Sequence, residues 1–145
     1  MTKNSFRPYA AEIAALARPK KPSGRKINLN PKEAQEQAIF VAWMTKNNVL
    51  HYAIPNGGSR NAIEAMNLKR QGVKSGVPDI CVPIQREPYG GLYIELKRKG
   101  TYVVSENQRN WIKMLQDNGQ RAEICMGADS AIDTVKLYLS FRLMR

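Results

Sequence analysis

The segment Gly-Gly-Leu-Tyr-Ile-Glu-Leu-Lys-Arg, residues 90–98, is the clearest β-strand in the sequence and decides the fold class. Apolar side chains alternate with other residues along it, and successive side chains of a strand point to opposite faces of the sheet. The leucine and isoleucine side chains therefore face the core, whereas Tyr93, Glu95 and Lys97 share the other face.

The residues on either side of this segment predict helices and strands in the order α β α β β α β α. Helices are predicted over 30–46, 61–71, 106–118 and 129–141, and strands over 49–54, 79–84, 92–98 and 120–126. Ser105 caps the third helix at its N-terminus and Gly119 ends it, and Asp129 or Ser130 begins the last helix. Strands that alternate with helices in so short a chain indicate an α/β fold with a central mixed β-sheet and helices on both faces.

The charge of the chain points to a polyanionic partner. Its 145 residues contain 23 lysines and arginines against 12 acidic residues, which gives a formal net charge of +11. Such an excess attracts nucleic acid. Residues 1–30 contain seven basic residues against one acidic residue and several prolines, which indicates a flexible basic arm. Residues 31–145 have the length and composition of one globular domain.

Several classes of protein and site are disfavoured by the sequence. No run of about 18 apolar residues is present, so we expect no membrane span, and the weak likeness to a signal peptide at the N-terminus leaves a cytoplasmic protein as our interpretation. Cys81 and Cys125 lie in apolar runs without CxxC spacing, which predicts buried thiols in a reducing compartment. His51 is the only histidine, which disfavours nucleophile–histidine triads and histidine-bound zinc. We expect no small-molecule cofactor.

Asp79, at the start of the preceding strand, is the natural partner for Glu95 and Lys97. If the two strands pair through a return at residues 89–91, simple reflection places Glu95 opposite residues 83–86, so an offset or a bulge is needed to bring Asp79 close. Two carboxylates and a lysine on adjacent strands suit binding of Mg²⁺, which polarises a phosphodiester and lowers the pKa of bound water. The alternative is a turn aspartate beside a surface ion pair.

Five segments occur in an order and spacing that point to one family. They are residues 54–58 (Ile-Pro-Asn-Gly-Gly), Leu68-Lys69, residues 72–79 (Gly-Val-Lys-Ser-Gly-Val-Pro-Asp), residues 91–97, and Ser105 with Gln108, Trp111 and Ile112. Together they resemble the VRR-NUC family of the PD-(D/E)XK nuclease superfamily, from about Glu33 to Leu139. The resemblance implies a restriction-endonuclease-like core and cleavage of DNA that depends on Mg²⁺, for which Mn²⁺ would substitute.

The resemblance also implies roles for individual residues. Asp79 and Glu95 would bind the metal together with the backbone carbonyl of Leu96, and Lys97 would position or activate the attacking water. Gln108, on the helix that follows the catalytic strand, would lie near the active site.

The family also uses a glutamate from the first helix, for which this sequence offers Glu33 and Glu36. The predicted apolar stripe of this helix consists of Ile39, Phe40 and Trp43. Glu36 is at helical spacing from that stripe, so we favour it as the catalytic acid. Glu33 better fits an ordinary acidic residue of a first helical turn.

Basic and turn residues around this site are predicted to contact the DNA backbone. They are Asn56, Gly57, Arg60, Lys69, Arg70, Lys74, Arg98 and Lys99. Turn amides and guanidinium or ammonium groups bind phosphate without reading sequence, although each residue alone is more typical of a solvated surface. Trp43 and Trp111 lie on helical stripes and are predicted to pack rather than to stack on bases.

The sequence thus predicts a metal-dependent DNA endonuclease that recognises backbone structure rather than base sequence. Stand-alone members of the family resemble Holliday-junction resolvases and pair as homodimers, which favours branched DNA as substrate and a homodimer as the assembly. The alternative is a non-catalytic nucleic-acid-binding module with the same fold, which would bind DNA in a salt-sensitive way without cutting it.

Overall fold

The structure, a computed structural model, describes residues 32–55, 62–100 and 102–143. Its elements are α1 (Glu33–Lys46), β1 (Tyr52–Ala53), α2 (Ala62–Arg70), β2 (Ile80–Val82), β3 (Leu92–Lys97), α3 (Glu106–Asp117), β4 (Arg121–Met126) and α4 (Gly127–Leu139). This order of helices and strands confirms the order predicted from the sequence. The predicted basic arm, residues 1–30, lies outside the described residues.

The four strands form one mixed sheet in the order β1-β2-β3-β4. β1, β2 and β3 pair antiparallel, whereas β3 and β4 pair parallel. Parallel neighbours need a crossover connection, which α3 provides. The predicted α/β fold with a central mixed sheet is therefore confirmed.

One face of the sheet carries the apolar core. Leu92, Ile94 and Leu96 of β3 are fully buried there, as the alternation along the strand predicts. α1 and α4 cover this face, and their largest buried side chains are Phe40, Met44, Val135 and Tyr138. The opposite face, which carries Glu95, is contacted by α3 through Gln108.

The buried stripe of α1 differs from the predicted one by one position. Phe40 and Met44 are fully buried and Trp43 packs at the edge of the core, but Ile39 is 53% exposed. Residues four apart lie on one helix face, so the face that contains Phe40 and Met44 also contains Glu36 and leaves Ile39 outside.

β1 is shorter than the predicted strand over residues 49–54. Asn48 adopts a left-handed φ of 54°, and the amide of Val49 donates to the carbonyl of Met44 at 2.9 Å. Val49 therefore belongs to the turn that ends α1, and its buried side chain packs in the core rather than along a strand.

α4 begins two residues before the predicted start at Asp129. Gly127 has a φ of 77°, which turns the chain from β4 directly into the helix. The amide of Ala128 donates to Glu36 Oε2 at 2.7 Å. A carboxylate from α1 therefore satisfies this helix end, which is why no local cap residue is needed.

The state of the cysteines and the character of the helices can also be compared with the predictions. Cys81 and Cys125 are buried free thiols, as predicted. None of the helices in the described parts of the chain combines the length and the apolar character needed to cross a membrane.

Candidate active site

The pairing of β2 with β3 brings Asp79 level with Glu95. Ile80 pairs with Ile94, so the next step of the same antiparallel register places Asp79 beside Glu95. The offset that simple reflection required comes from the connection, because its tight turn lies between Arg86 and Tyr89 rather than at residues 89–91. The return therefore lies about three residues earlier than the sequence predicts.

Asp79 is held against β3 by a backbone contact. The amide of Leu96 donates to Asp79 Oδ2 at 2.8 Å, and the carbonyl of Asp79 accepts from the amide of Ile54 at 2.7 Å. The side chain thus connects the start of β2 to β3, and one carboxylate oxygen has a fixed position next to the backbone of Leu96.

Glu95 and Lys97 form a buried ion pair on the same face. Lys97 Nζ lies 2.9 Å from Glu95 Oε1, and the two residues are only 6% and 2% exposed. A surface ion pair, the alternative interpretation from sequence, would leave both side chains in solvent. Their burial means that the fold holds this pair at a desolvation cost that an exposed pair avoids.

Gln108 connects the start of α3 to this pair. Its side chain donates through Nε2 to Glu95 Oε1 and accepts through Oε1 from the amide of Ser105 at 2.9 Å. Ser105 Oγ accepts in return from the amide of Gln108 at 3.2 Å. The capping box of α3 therefore also positions Glu95. The Ser-x-x-Gln spacing predicts the capping box, but the contact with Glu95 becomes apparent only when α3 is placed on this face of the sheet.

Electrostatics distinguish these carboxylates from ordinary surface acids. Burial raises the pKa of Glu95 to about 7, outweighing the hydrogen bond from Lys97, and the negative charges of Asp79 and Glu33 act in the same direction. Burial also raises the pKa of Asp79, against the hydrogen bond from Leu96, and Glu33 again contributes. The site concentrates negative charge that its single lysine does not neutralise.

The two candidate glutamates of α1 have different surroundings. Glu33 is exposed, and its charge acts on both Asp79 and Glu95. Glu36 is 3% exposed and accepts the hydrogen bond from Ala128 at the start of α4. The carboxylate of Glu36 thus has a structural partner. We therefore propose Glu33, rather than Glu36, as the catalytic glutamate of α1.

Close packing also positions the loop that leads to Asp79. Gly76 has a φ of 86°, and a Cβ there would lie 2.6 Å from the backbone carbonyl carbon of Asn107. Only glycine allows the loop to approach α3 this closely. The loop before Asp79 and the helix that carries Gln108 are therefore in contact beside the site.

The predicted DNA-contacting residues are distributed over several surfaces. Lys69 and Arg70, at the end of α2, are exposed, as is Lys74 in the following loop. Arg98 is exposed directly after β3. Lys99 lies beside Gly127 at the start of α4, where its Nζ is 2.8 Å from Asp129 Oδ2. Asn56, Gly57 and Arg60 lie outside the described residues.

The two tryptophans, which the sequence predicts to pack, lie in different parts of the fold. Trp43 packs against the core, and Lys136 Nζ lies 5.8 Å from its ring centre. Trp111 is half-buried and lines an open groove of about 430 Å³ on the surface of α3 with Asn107 and Met114. Neither ring contacts the Asp79–Glu95 pair in the described contacts.

Comparisons with known proteins show that the chain is similar to one domain family in sequence and in fold. The sequence model of the VRR-NUC domain family matches residues 25–129. Among solved structures, the chain is similar to a VRR_NUC domain protein at 27% sequence identity with a TM-score of 0.69, and the match covers 79% of this chain and 93% of that one. No curated protein matches the sequence significantly.

Proposed function

The chain belongs to the VRR-NUC domain family, a nuclease-type family, and on this basis we propose that it is a metal-dependent endonuclease that hydrolyses the phosphodiester bonds of DNA. The observation that carries the proposal is the convergence of Asp79, Glu95 and Lys97 on one face of the sheet, where two of the three are almost fully buried. Carboxylates whose pKa values are raised by burial, beside a specific charged partner, are typical of sites tuned for chemistry.

The donor groups fit a hard divalent cation such as Mg²⁺ or Mn²⁺. Asp79 and Glu95 offer carboxylate oxygens, which are the ligands that Mg²⁺ prefers. The N–H and C=O of a strand residue point toward the same neighbour, so the carbonyl of Leu96 is directed to the side where its amide contacts Asp79. The described residues contain no group of three His, Cys, Asp or Glu side chains placed to bind a metal. Two carboxylates, a carbonyl and retained waters match the usual coordination of Mg²⁺.

Each side chain then has a distinct task. A bound Mg²⁺ supplies Lewis-acid polarisation of the phosphodiester and lowers the pKa of water. Lys97 orients the attacking water or stabilises negative charge that develops on the phosphate. Gln108 keeps Glu95 in position, and the negative charge of Glu33 acts on both Asp79 and Glu95.

The substrate that we propose is DNA recognised through its backbone. Lys69, Arg70 and Lys74 present positive charge on exposed surfaces, and the chain as a whole carries +11. Such contacts bind phosphates without specifying sequence. We favour branched DNA, cut by a homodimer whose two sites address two strands.

The test is cleavage of a four-way junction, a flap and a continuous duplex of matched sequence. We expect nicking in Mg²⁺ or Mn²⁺ and none in EDTA, with the branched substrates cut faster, and a particle mass of two chains in solution. Equal rates on all three substrates would remove the preference for branched DNA. Salt-sensitive binding without cleavage in any divalent ion would instead establish the non-catalytic alternative.

The affinity for metal should depend on pH through Glu95. Its pKa of about 7 in the metal-free protein means that Glu95 is largely neutral below pH 7, and a cation must displace that proton. We expect the affinity for Mn²⁺, measured by calorimetry, to rise by up to about tenfold per pH unit below 7 and to level off above it. An affinity independent of pH between 5.5 and 7 would contradict this assignment.

The raised pKa of Glu95 also predicts how the stability of the metal-free protein changes with pH. Because the folded pKa of Glu95 is raised above its ordinary value, the native state binds more protons than the unfolded state between these two values. The contribution of Glu95 to stability is therefore lost as pH rises from about 4.5 to about 7. Glu95→Gln, which cannot ionise, should remove this dependence in denaturant titrations.

A further inference from the structure

A row of three side chains lies beside the acidic pair on the same face of the sheet. Tyr52 pairs with Cys81, and Cys81 pairs with Tyr93, across the three antiparallel strands. Cross-strand partners share a face, and side chains two apart along a strand do so as well. Cys81 and Tyr93 therefore lie on the face of Asp79 and Glu95.

The burial pattern confirms this placement. The neighbours of Cys81 along β2, Ile80 and Val82, belong to the apolar core on the other face, and Cys81 does not. Successive side chains on one face of a strand are separated by about 6.6–6.8 Å. The row that contains Tyr93 is thus the next row beside Asp79 and Glu95, within reach of a nucleotide attached to the scissile phosphate.

The two tyrosines differ from the cysteine between them in exposure. Cys81 is 2% exposed, whereas Tyr52 is 51% exposed and Tyr93 is half-buried. The strand pairing places each tyrosine directly across from Cys81, on either side of it. A half-exposed tyrosine next to a nuclease site presents an apolar ring where a nucleic acid passes.

The chemistry of these rings suits a nucleic acid rather than a cation. A tyrosine phenol is neutral at physiological pH. A neutral phenol does not repel a polyanion, and aromatic rings stack on all four bases.

We propose that Tyr52 and Tyr93 form a stacking surface for the base of an unpaired nucleotide next to the scissile phosphate. This inference rests on the proposed function, since it assigns a substrate feature to the same site. Bases of a continuous duplex are stacked on one another and are not available to a protein ring, so the surface favours DNA with unpaired nucleotides at the point of cleavage.

The test compares two ligands that share a phosphate backbone, an oligothymidylate and an abasic oligonucleotide of equal length. The full chain is used in EDTA, so that binding is measured without cleavage. We expect the wild type to bind the oligothymidylate about tenfold more tightly than the abasic strand. Tyr52→Ala combined with Tyr93→Leu should abolish this ratio, whereas the pair of phenylalanine substitutions should preserve it because the rings remain.

Two further variants keep the test interpretable. Tyr52→Ala alone changes a half-exposed residue, so it should fold and should reduce the ratio in part. Leu137→Ala is the matched control, because this residue is 52% exposed on α4, which covers the core face of the sheet, and it should leave the ratio unchanged.

The outcomes separate this inference from the proposed nuclease activity. Equal binding of both oligonucleotides by the wild type, or loss of the ratio in the phenylalanine variants, would overturn the stacking surface even if the protein cleaves DNA. A base-dependent ratio that disappears with the rings would support it, and absence of cleavage in Mg²⁺ would then count against the nuclease activity alone.

Discussion

Asp79→Asn is expected to abolish DNA cleavage while leaving the metal-free fold at least as stable as that of the wild type. The substitution removes one of the two carboxylates that we propose to bind the metal, and we expect the cleavage rate to fall by about 10²–10³-fold or more. Asparagine keeps an acceptor oxygen for the amide of Leu96, which lies 2.8 Å from Asp79 Oδ2. The local backbone contact should therefore survive.

The expected effect on stability follows from the raised pKa of Asp79. Burial, helped by the charge of Glu33, disfavours the ionised carboxylate in the folded state. A neutral side chain of the same shape removes that cost at pH 8, so the thermal midpoint should not decrease. The measurements are single-turnover cleavage of a four-way junction and thermal unfolding in EDTA.

Asp117→Asn is a matched control for this substitution. Asp117 is an exposed acid at the end of α3, where it forms a surface ion pair with Lys113 at 2.8 Å. Pairs of this kind contribute little to stability, so cleavage and the thermal midpoint should both stay close to wild type. An Asp79→Asn variant that cleaves as fast as this control would refute the proposed site.

Glu36→Ala is expected to have the opposite profile, a large loss of stability with the chemical step retained. Glu36 is 3% exposed and accepts the amide of Ala128 at the start of α4. Removing it leaves a buried N–H without a partner and a helix N-terminus without its negative charge. We expect a loss of about 2–3 kcal/mol in unfolding free energy, or roughly 5–10 °C in the thermal midpoint.

Glu33→Ala provides the comparison on the same helix. Glu33 is exposed, so its removal should change the thermal midpoint by little. Its charge acts on Asp79 and Glu95, so we expect weaker metal binding and slower cleavage. If Glu36→Ala instead lost cleavage at full stability while Glu33→Ala behaved as wild type, Glu36 would be the helix acid, as the sequence alone suggested.

Local patterns predicted much of the fold because they act over a few residues. Alternation along residues 92–97 separated the core face from the face that carries Glu95 and Lys97. Cap residues such as Ser105 located the start of α3. The order of all eight elements followed from such signals, each of which reflects backbone geometry within one or two turns or strands.

The differences from prediction concern where strands and turns begin and end. β1 is short because the backbone at Val49 bonds to the end of α1. The return between β2 and β3 was misplaced because Gly90 and Gly91 resemble a turn, whereas the tight turn lies between Arg86 and Tyr89. In both cases hydrogen bonds within a turn set the boundary, and the residue types alone do not place those bonds.

The sequence by itself determined the family resemblance, the order of elements, the sharing of one strand face by Glu95 and Lys97, and the excess of positive charge. Tertiary structure alone decided the strand register that aligns Asp79 with Glu95, the distinct partners of Glu33 and Glu36, and the neighbours of Tyr52. The physical reason is distance along the chain. Periodicity and capping depend on neighbouring residues, whereas the bond from Ala128 to Glu36 joins groups 92 residues apart, which only the packed core brings together.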